Sequence, residues 1–259
     1  MGLGDLVTQV PPFPAKLRED NVRTGFVEGA DYDKLAAACS REGTWMRAIF
    51  EAGYSLGWRV EELQSRRAKH VDLENRTIRL EPGETKNGRG RTAPLFAQLY
   101  PWIQQAMHEK ESDDYLFSRD SLGVRPVRDF RGSWYKVCCA AGLGQMHCKT
   151  CDTVIAKGKC PEHGQRTLKQ QTYSGLIFHD LRRTAIRGMT RAGIPQAIAM
   201  KISGHETDSV FRRYDIVSES DLELARERMT GNTHPNPQAP KIAPETVQQQ
   251  TPLPSGLPN

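Results

Sequence analysis

Two groups of residues in this chain have the types and spacing that chemistry needs. The first centres on His179-Asp180-Leu181-Arg182. Three residues apart, His179 and Arg182 share a face if the segment is helical. Backbone N–H groups near the start of such a helix favour an anion beside them. Gly204-His205 follows, then Tyr214 between Arg213 and Asp215. Upstream lie Gly57-Trp58-Arg59-Val60-Glu61-Glu62-Leu63 and Lys86 in Thr85-Lys86-Asn87-Gly88. Taken singly, each has an ordinary reading: a loop histidine, a half-buried tyrosine, a helix start with a solvated charged face, a turn lysine. The second group is Cys148-x-x-Cys151 and Cys160-x-x-His163, two knuckles separated by eight residues. Three thiolates and one imidazole suit a tetrahedral structural zinc site. His147 is a reserve ligand, and the alternative is a polar loop with free thiols.

Composition bounds what these groups can serve. The chain has 259 residues, 37% apolar and 26% charged, with mean hydropathy −0.60. It is long enough for a substantial core and has no apolar run able to span a bilayer. No secretory signal opens it, so the six cysteines read as metal ligands and buried thiols rather than a disulfide framework. The formal net charge is +5, which permits a nucleic-acid partner. Between His179 and Tyr214 there are seven Lys or Arg against Asp180, Glu206 and Asp208, which suits a phosphate backbone.

The elements that must hold these residues follow from periodicity. Asp31 is expected to cap a helix through Leu35 to Ala38, and Thr44 to cap a second carrying Met46, Ile49, Phe50 and Ala52. Gly57 should end that helix, with a short one from Val60 to Leu63. The period then changes to two at Val71, Leu73, Ile78 and Leu80, and Lys86-Asn87-Gly88 signals a hairpin whose return strand runs from Arg91 to Leu95. Pro94 places that strand at an edge. Further helices are expected near 97–110 and 127–141, then an irregular polar stretch over 143–175, then short helical pieces from His179 to Met229. The fold class is α+β, mostly helical with one small antiparallel sheet. Pro11, Pro12 and Pro14 mark an irregular lead over 1–24. Seven of the sixteen prolines fall among the Gln-rich residues 231–259, a composition expected to stay disordered.

In this order the first group resembles the catalytic domain of tyrosine recombinases, the phage integrase family. The family pattern is an arginine in G-x-R-x-x-E-L, a lysine on a β-hairpin, H-x-x-R, a G-H pair and a tyrosine. Here these are Arg59, Lys86, His179 with Arg182, His205, and Tyr214, with His205 twenty-six residues after His179 and Tyr214 nine after His205. The resemblance covers about residues 25–230 and implies a DNA recombinase. Arg59, Arg182 and His205 would grip the scissile phosphate, since forked guanidiniums suit charged non-bridging oxygens. Tyr214 would attack phosphorus to form a 3′-phosphotyrosyl link, and Lys86 would protonate the leaving 5′-oxygen. His179 would assist proton movement at the tyrosine, and Glu62 would support the arginine geometry. No catalytic cofactor is implied. The partner would be double-stranded DNA, with self-assembly into a tetrameric synapse, and the setting the cytoplasm of a bacterium or phage host, in the service of a mobile element.

Two departures from the family stand out. Too few residues precede the match for the usual helical DNA-clamping domain, so the expectation is a catalytic domain standing alone. An insertion over 144–175 separates Ala141-Gly142-Leu143 from Leu176-Ile177-Phe178 and carries the Cys/His knuckles, with Gly158 ahead of the second. A type IB topoisomerase, which uses a similar residue set, and a non-catalytic zinc-bearing DNA-binding protein are the rival readings.

Overall fold

The computed structural model describes residues 26–84, 88–156, 158–164, 167, 169–212, 222–223 and 225–227. The chain divides into two compact units, Met1–Ile216 and Val217–Asn259. In the second, the described residues are helical. The expected lead over 1–24 and tail over 231–259 lie outside the described residues.

In the first unit α1 (Ala30–Glu42), α2 (Thr44–Leu56) and α3 (Val60–Gln64) come first. The caps differ from expectation: Gly29 and Gly43 occupy the N-cap positions, while Asp31 and Thr44 lie inside the first turns. Asp31 therefore acts on the helix dipole rather than as a cap. The apolar face of α2 is fully used, with Met46, Ile49, Phe50, Ala52 and Leu56 all buried. Gly57 ends it in the left-handed conformation, as expected.

Strands β1 (Val71–Asp72), β2 (Thr77–Leu80) and β3 (Arg91–Pro94) form an antiparallel sheet in that order. Ile78 pairs with Val71 on one side and with Ala93 on the other. Pro94 sits on the edge strand, where its missing N–H costs no ladder bond. Helices α4 (Tyr100–Met107) and α5 (Arg131–Ala140) are shorter than periodicity suggested. Pro101 fixes the start of α4, and Phe130 stands at the N-cap of α5.

The stretch expected to be irregular contains a hairpin, β4 (Gly144–Cys148) with β5 (Gln171–Gly175), paired from Gly144↔Gly175 to Cys148↔Gln171. Its root is clamped to α5 by the stacked rings of Tyr135 and Tyr173, 3.8 Å apart. The Leu176 carbonyl accepts from Trp134 Nε1 at 3.0 Å and Tyr173 Oη at 2.8 Å. Leu176 N–H donates to Leu143 O at 3.0 Å, so the two flanks of the insertion are neighbours in space.

After a 3-10 turn at Phe178–Asp180 come α6 (Leu181–Arg191), α7 (Gln196–Ser203) and α8 (Asp208–Arg212). Helix α2 packs against α1, α4 and α6. A Cβ on Gly53 would lie 2.8 Å from the Phe178 ring. Only glycine in α2 lets Phe178 pack this closely, and that contact sets the turn carrying His179.

Candidate active site

Four of the six residues expected to be catalytic lie among the described residues, and they converge from separate segments. Arg59 stands at the N-cap of α3 in extended conformation. Its backbone N–H donates to Glu62 Oε2 at 2.9 Å, and its Nη1 to Glu62 Oε1 at 3.1 Å. This is the reciprocal bond of a capping box, and it fixes both the backbone and the guanidinium of Arg59. Glu62 is 3% exposed. Burial alone would raise its carboxyl, but the adjacent Arg91 and Arg59 hold it below the usual carboxylate range.

Arg182 is buried on α6. Its Nη1 donates to Gly57 O at 2.5 Å and Ser203 O at 2.6 Å. Those carbonyls stand at the C-terminal ends of α2 and α7, where helix carbonyls lack internal partners and carry partial negative charge. The opposite edge of the guanidinium faces His205, with Nε 3.1 Å from Nε2 and Nη2 3.1 Å from Nδ1. Ser203 Oγ donates to Ala199 O at 2.7 Å and lies 2.8 Å from His205 Nδ1. With its proton committed, the serine oxygen accepts from Nδ1–H, and Nε2 accepts from Arg182. Burial, then Arg182, Arg59 and Arg91, push the His205 pKa down to about 3, so the ring is neutral near pH 7. In this arrangement His205 accepts from Arg182.

His179 sits in the 3-10 turn ahead of α6 rather than on the helix with Arg182. Its pKa is lowered by the dense surroundings of the ring, then by Arg182, with Arg59 adding to the effect. Asp180 Oδ2 accepts from Ile177 N–H at 3.0 Å and closes that turn.

Lys86 and Tyr214 lie outside the described residues. The structure shows what flanks them. Gly83 N–H donates to Gly88 O at 3.0 Å across the loop base. The fully buried Arg66 reaches Glu84 Oε2 at 2.7 Å, Glu62 O at 2.9 Å and Arg79 O at 2.7 Å. Short helix α8 is described as far as Arg212. Its buried Phe211 packs edge-on against His205 with ring centres 5.8 Å apart.

Sequence reasoning missed Arg91, Ser203 and Trp58. Arg91 Nη2 donates to Glu62 Oε2 at 2.6 Å, and its guanidinium lies over Trp58, 5.1 Å from the ring centre. The sequence signal for Arg91 is its place at the head of the strand that follows the lysine loop.

The knuckle residues come together as expected. The ligand atoms of Cys148, Cys151, Cys160 and His163 all lie within 4.8 Å of one another. Cys151 Sγ is 3.7 Å from Cys160 Sγ, and His163 Nδ1 is 3.8 Å from Cys148 Sγ and 3.7 Å from Cys160 Sγ. Zn–S bonds of 2.3 Å in a tetrahedron require sulfur–sulfur edges of about 3.8 Å, so the donor set fits. Both knuckles use one turn. Asp152 and Gly164, each following the second ligand, have φ of 56° and 62°, and each donates its N–H to the carbonyl of the first ligand, Cys148 or Cys160. His147 is not in the cluster: its Nε2 is 3.0 Å from Ser174 Oγ.

Comparison with known proteins gives concordant results. A family model described as the phage integrase family matches residues 26–220. No curated protein matches the chain. Among solved structures, XerA recombinase is similar with a TM-score of 0.56 at 18% identity, over 80% of this chain and 66% of that one. The Tn1549 transposon integrase in complex with transposon right end DNA gives 0.59 at 15%, over 88% and 74%. A lambda integrase dimer bound to a COC' core site gives 0.54 at 15%, over 78% and 51%. The chain thus spans less than two thirds of XerA recombinase and about half of lambda integrase, and these likenesses concern the fold.

Proposed function

The chain belongs to the phage integrase family, and from that premise we propose that it is a site-specific DNA recombinase working through a 3′-phosphotyrosyl intermediate. The observation that carries the reading is the convergence of Arg59, His179, Arg182 and His205 on one patch. Arg182 and Arg59 each lower the pKa of both His205 and His179, which places the four within electrostatic reach of one another.

In this reading Arg59 and the His205-facing edge of Arg182 bind the non-bridging oxygens of the scissile phosphate. The Tyr214 oxygen forms a bond to phosphorus as the bond from phosphorus to the 5′-oxygen breaks. Lys86 delivers a proton to that oxygen. His179, held neutral by its surroundings, can accept the phenolic proton. Before phosphate arrives His205 orients Arg182 through Nε2, and it becomes a phosphate donor only when the proton moves to that nitrogen. Rejoining reverses the steps, with the phosphotyrosine retaining the bond energy. The roles of Tyr214 and Lys86 rest on the order and spacing of the motifs. Cys148, Cys151, Cys160 and His163 would hold one zinc, which supplies structural cross-linking; four protein ligands leave no position for water. Double-stranded DNA is the partner, and assembly on it follows the family.

The test starts from a nicked duplex library of randomised sequence, in which cleavage beside the nick releases a short fragment and traps the adduct. Wild-type protein should be retained covalently on a subset of duplexes. Tyr214→Phe should bind the recovered duplexes yet yield no adduct. Adducts at wild-type level in that variant would refute the assignment.

A further inference from the structure

We propose that Arg91 is a positioning residue of the cleavage site, holding Arg59 through Glu62 and seating the Gly204-His205 pair; this rests on the recombinase reading above. Arg91 belongs to β3, the return strand of the hairpin, and no family motif read from the sequence includes it in the reacting set. Its side chain is 13% exposed and its Nη2 donates to Glu62 Oε2 at 2.6 Å. The same carboxylate holds Arg59 by the backbone N–H at 2.9 Å and Nη1 at 3.1 Å. Glu62 is a buried carboxylate, and burial by itself favours the protonated form. Arg91 is the foremost group opposing that burial. Without Arg91, Glu62 would lose one of its two cations and the bond that fixes Oε2. Arg59 would then be held by a less firmly placed carboxylate.

The second contact is steric. Gly204 has φ of 72°, and the guanidinium of Arg91 fills the space in which a Cβ on that residue would stand. Arg91 also lies over Trp58, whose Nε1 donates to Ile202 O at 2.7 Å. One guanidinium thus touches the start of α3, the end of α7 and the loop leading into His205. It does not need to reach the phosphate to matter: a shift of about 1 Å in a group that does can cost about 10²-fold in rate.

The experiment compares Arg91→Met and Arg91→Lys with wild type, using a nicked duplex recovered from the randomised library. Adduct formation is timed on the ordinary scissile phosphate and on a methylphosphonate at the same position, which has lost the anionic oxygen. Thermal melting is recorded alongside. Arg91→Met should cleave the phosphate about 10²-fold more slowly. Its deficit relative to wild type should shrink on the methylphosphonate, because Arg59 then has less charge to neutralise. Arg91→Lys keeps a cation for Glu62 and should recover part of the rate. Should Arg91→Met fail to fold, Glu62→Gln should show the same substrate-dependent deficit. A wild-type rate for Arg91→Met overturns the inference. So does a deficit equal on both substrates and undiminished in Arg91→Lys, which marks a general loss of structure. Wild-type protein giving no adduct at all refutes the recombinase reading, a different result from an active wild type with an unimpaired Arg91 variant.

Discussion

Removing metal from the insertion should unfold its tip and spare its root, and the structure sets the size of the effect. The cluster that packs the knuckles consists of Cys148, Ile155 and Cys160, with Met146 and Cys151 partly buried against it. Of these, only Ile155 is a buried aliphatic that is not also a ligand. Burying one such side chain contributes about 2 kcal/mol. Fixing the backbone of one residue costs about 1–2 kcal/mol, so Ile155 offsets the ordering of one or two residues in a loop running from 149 to 170. Structural zinc in small knuckles contributes about 10–16 kcal/mol, which is large enough to decide whether this segment folds. Purified protein should therefore carry about one zinc per chain. Chelation should abolish amide-exchange protection over 149–164, while β4 and β5 near the Tyr135–Tyr173 stack stay protected. Cys151→Ser should lose the metal, and His147→Ala should keep it, because His147 is engaged with Ser174. Protein purified under reducing conditions with no zinc and three freely reactive thiols would refute the site. Zinc lost in His147→Ala but kept in His163→Ala would refute the ligand set.

Three further outcomes follow from the site. His205 has a folded-state pKa near 3 against about 6.5 unfolded, so its contribution to stability is complete above pH 6.5 and is lost as pH falls towards 3. Urea unfolding at pH 7.5 and pH 5 should differ by about 2 kcal/mol from this group alone; His70 and His179 act in the same direction, so the check is a smaller difference in His205→Gln than in wild type. Gly204→Ala forces a side chain into left-handed backbone at about 1–2 kcal/mol and displaces Arg91 from Glu62. Thermal melting should show the first loss and adduct formation a larger one; an unaltered cleavage rate would contradict the packing. Lys86→Ala should slow cleavage of ordinary DNA by about 10²–10⁴-fold, and a 5′-bridging phosphorothiolate, which leaves without a proton, should restore most of it. Equal slowing on both substrates would move the proton-transfer role elsewhere.

Much of this architecture was legible because local signals and tertiary demands agree. Met46, Ile49, Phe50 and Ala52 lie near helical spacing and all four are buried on α2. Ile78 and Leu80 alternate with polar residues, and both are buried in β2. The hairpin of β4 and β5 was not legible. Its strand Gln171-Thr172-Tyr173-Ser174-Gly175 shows no apolar alternation, since it is held by a ladder and a ring stack rather than by a core face. The knuckle spacing was readable, but the turn at Asp152 was not, because a left-handed aspartate leaves no glycine to signal it. The partners of the arginines were hidden for another reason. Arg182 meets Gly57 and Ser203 through carbonyls, which every residue carries and no motif can mark.

Those hidden partners show how the arginines of the site are held without full neutralisation. A guanidinium paired one-to-one with a carboxylate is neutralised, and little attraction for phosphate survives. Here the compensation is partial. Glu62 is shared between Arg59 and Arg91, so one carboxylate serves two cations. Arg182 leans on carbonyls at the ends of α2 and α7, where helix dipoles supply fractional negative charge. Each arginine is fixed in place, yet the local charge stays positive. The Nε–H of Arg182 meets a neutral acceptor, Nε2 of His205, which holds its orientation. In the proposed recombinase reading, an arriving phosphate would compete with an uncharged imidazole, not with a carboxylate. Electrostatic stabilisation of this kind depends on groups set in position before charge develops. The helix ends and the Glu62 fork accomplish that setting, and the cores of α2 and α6 keep both rigid.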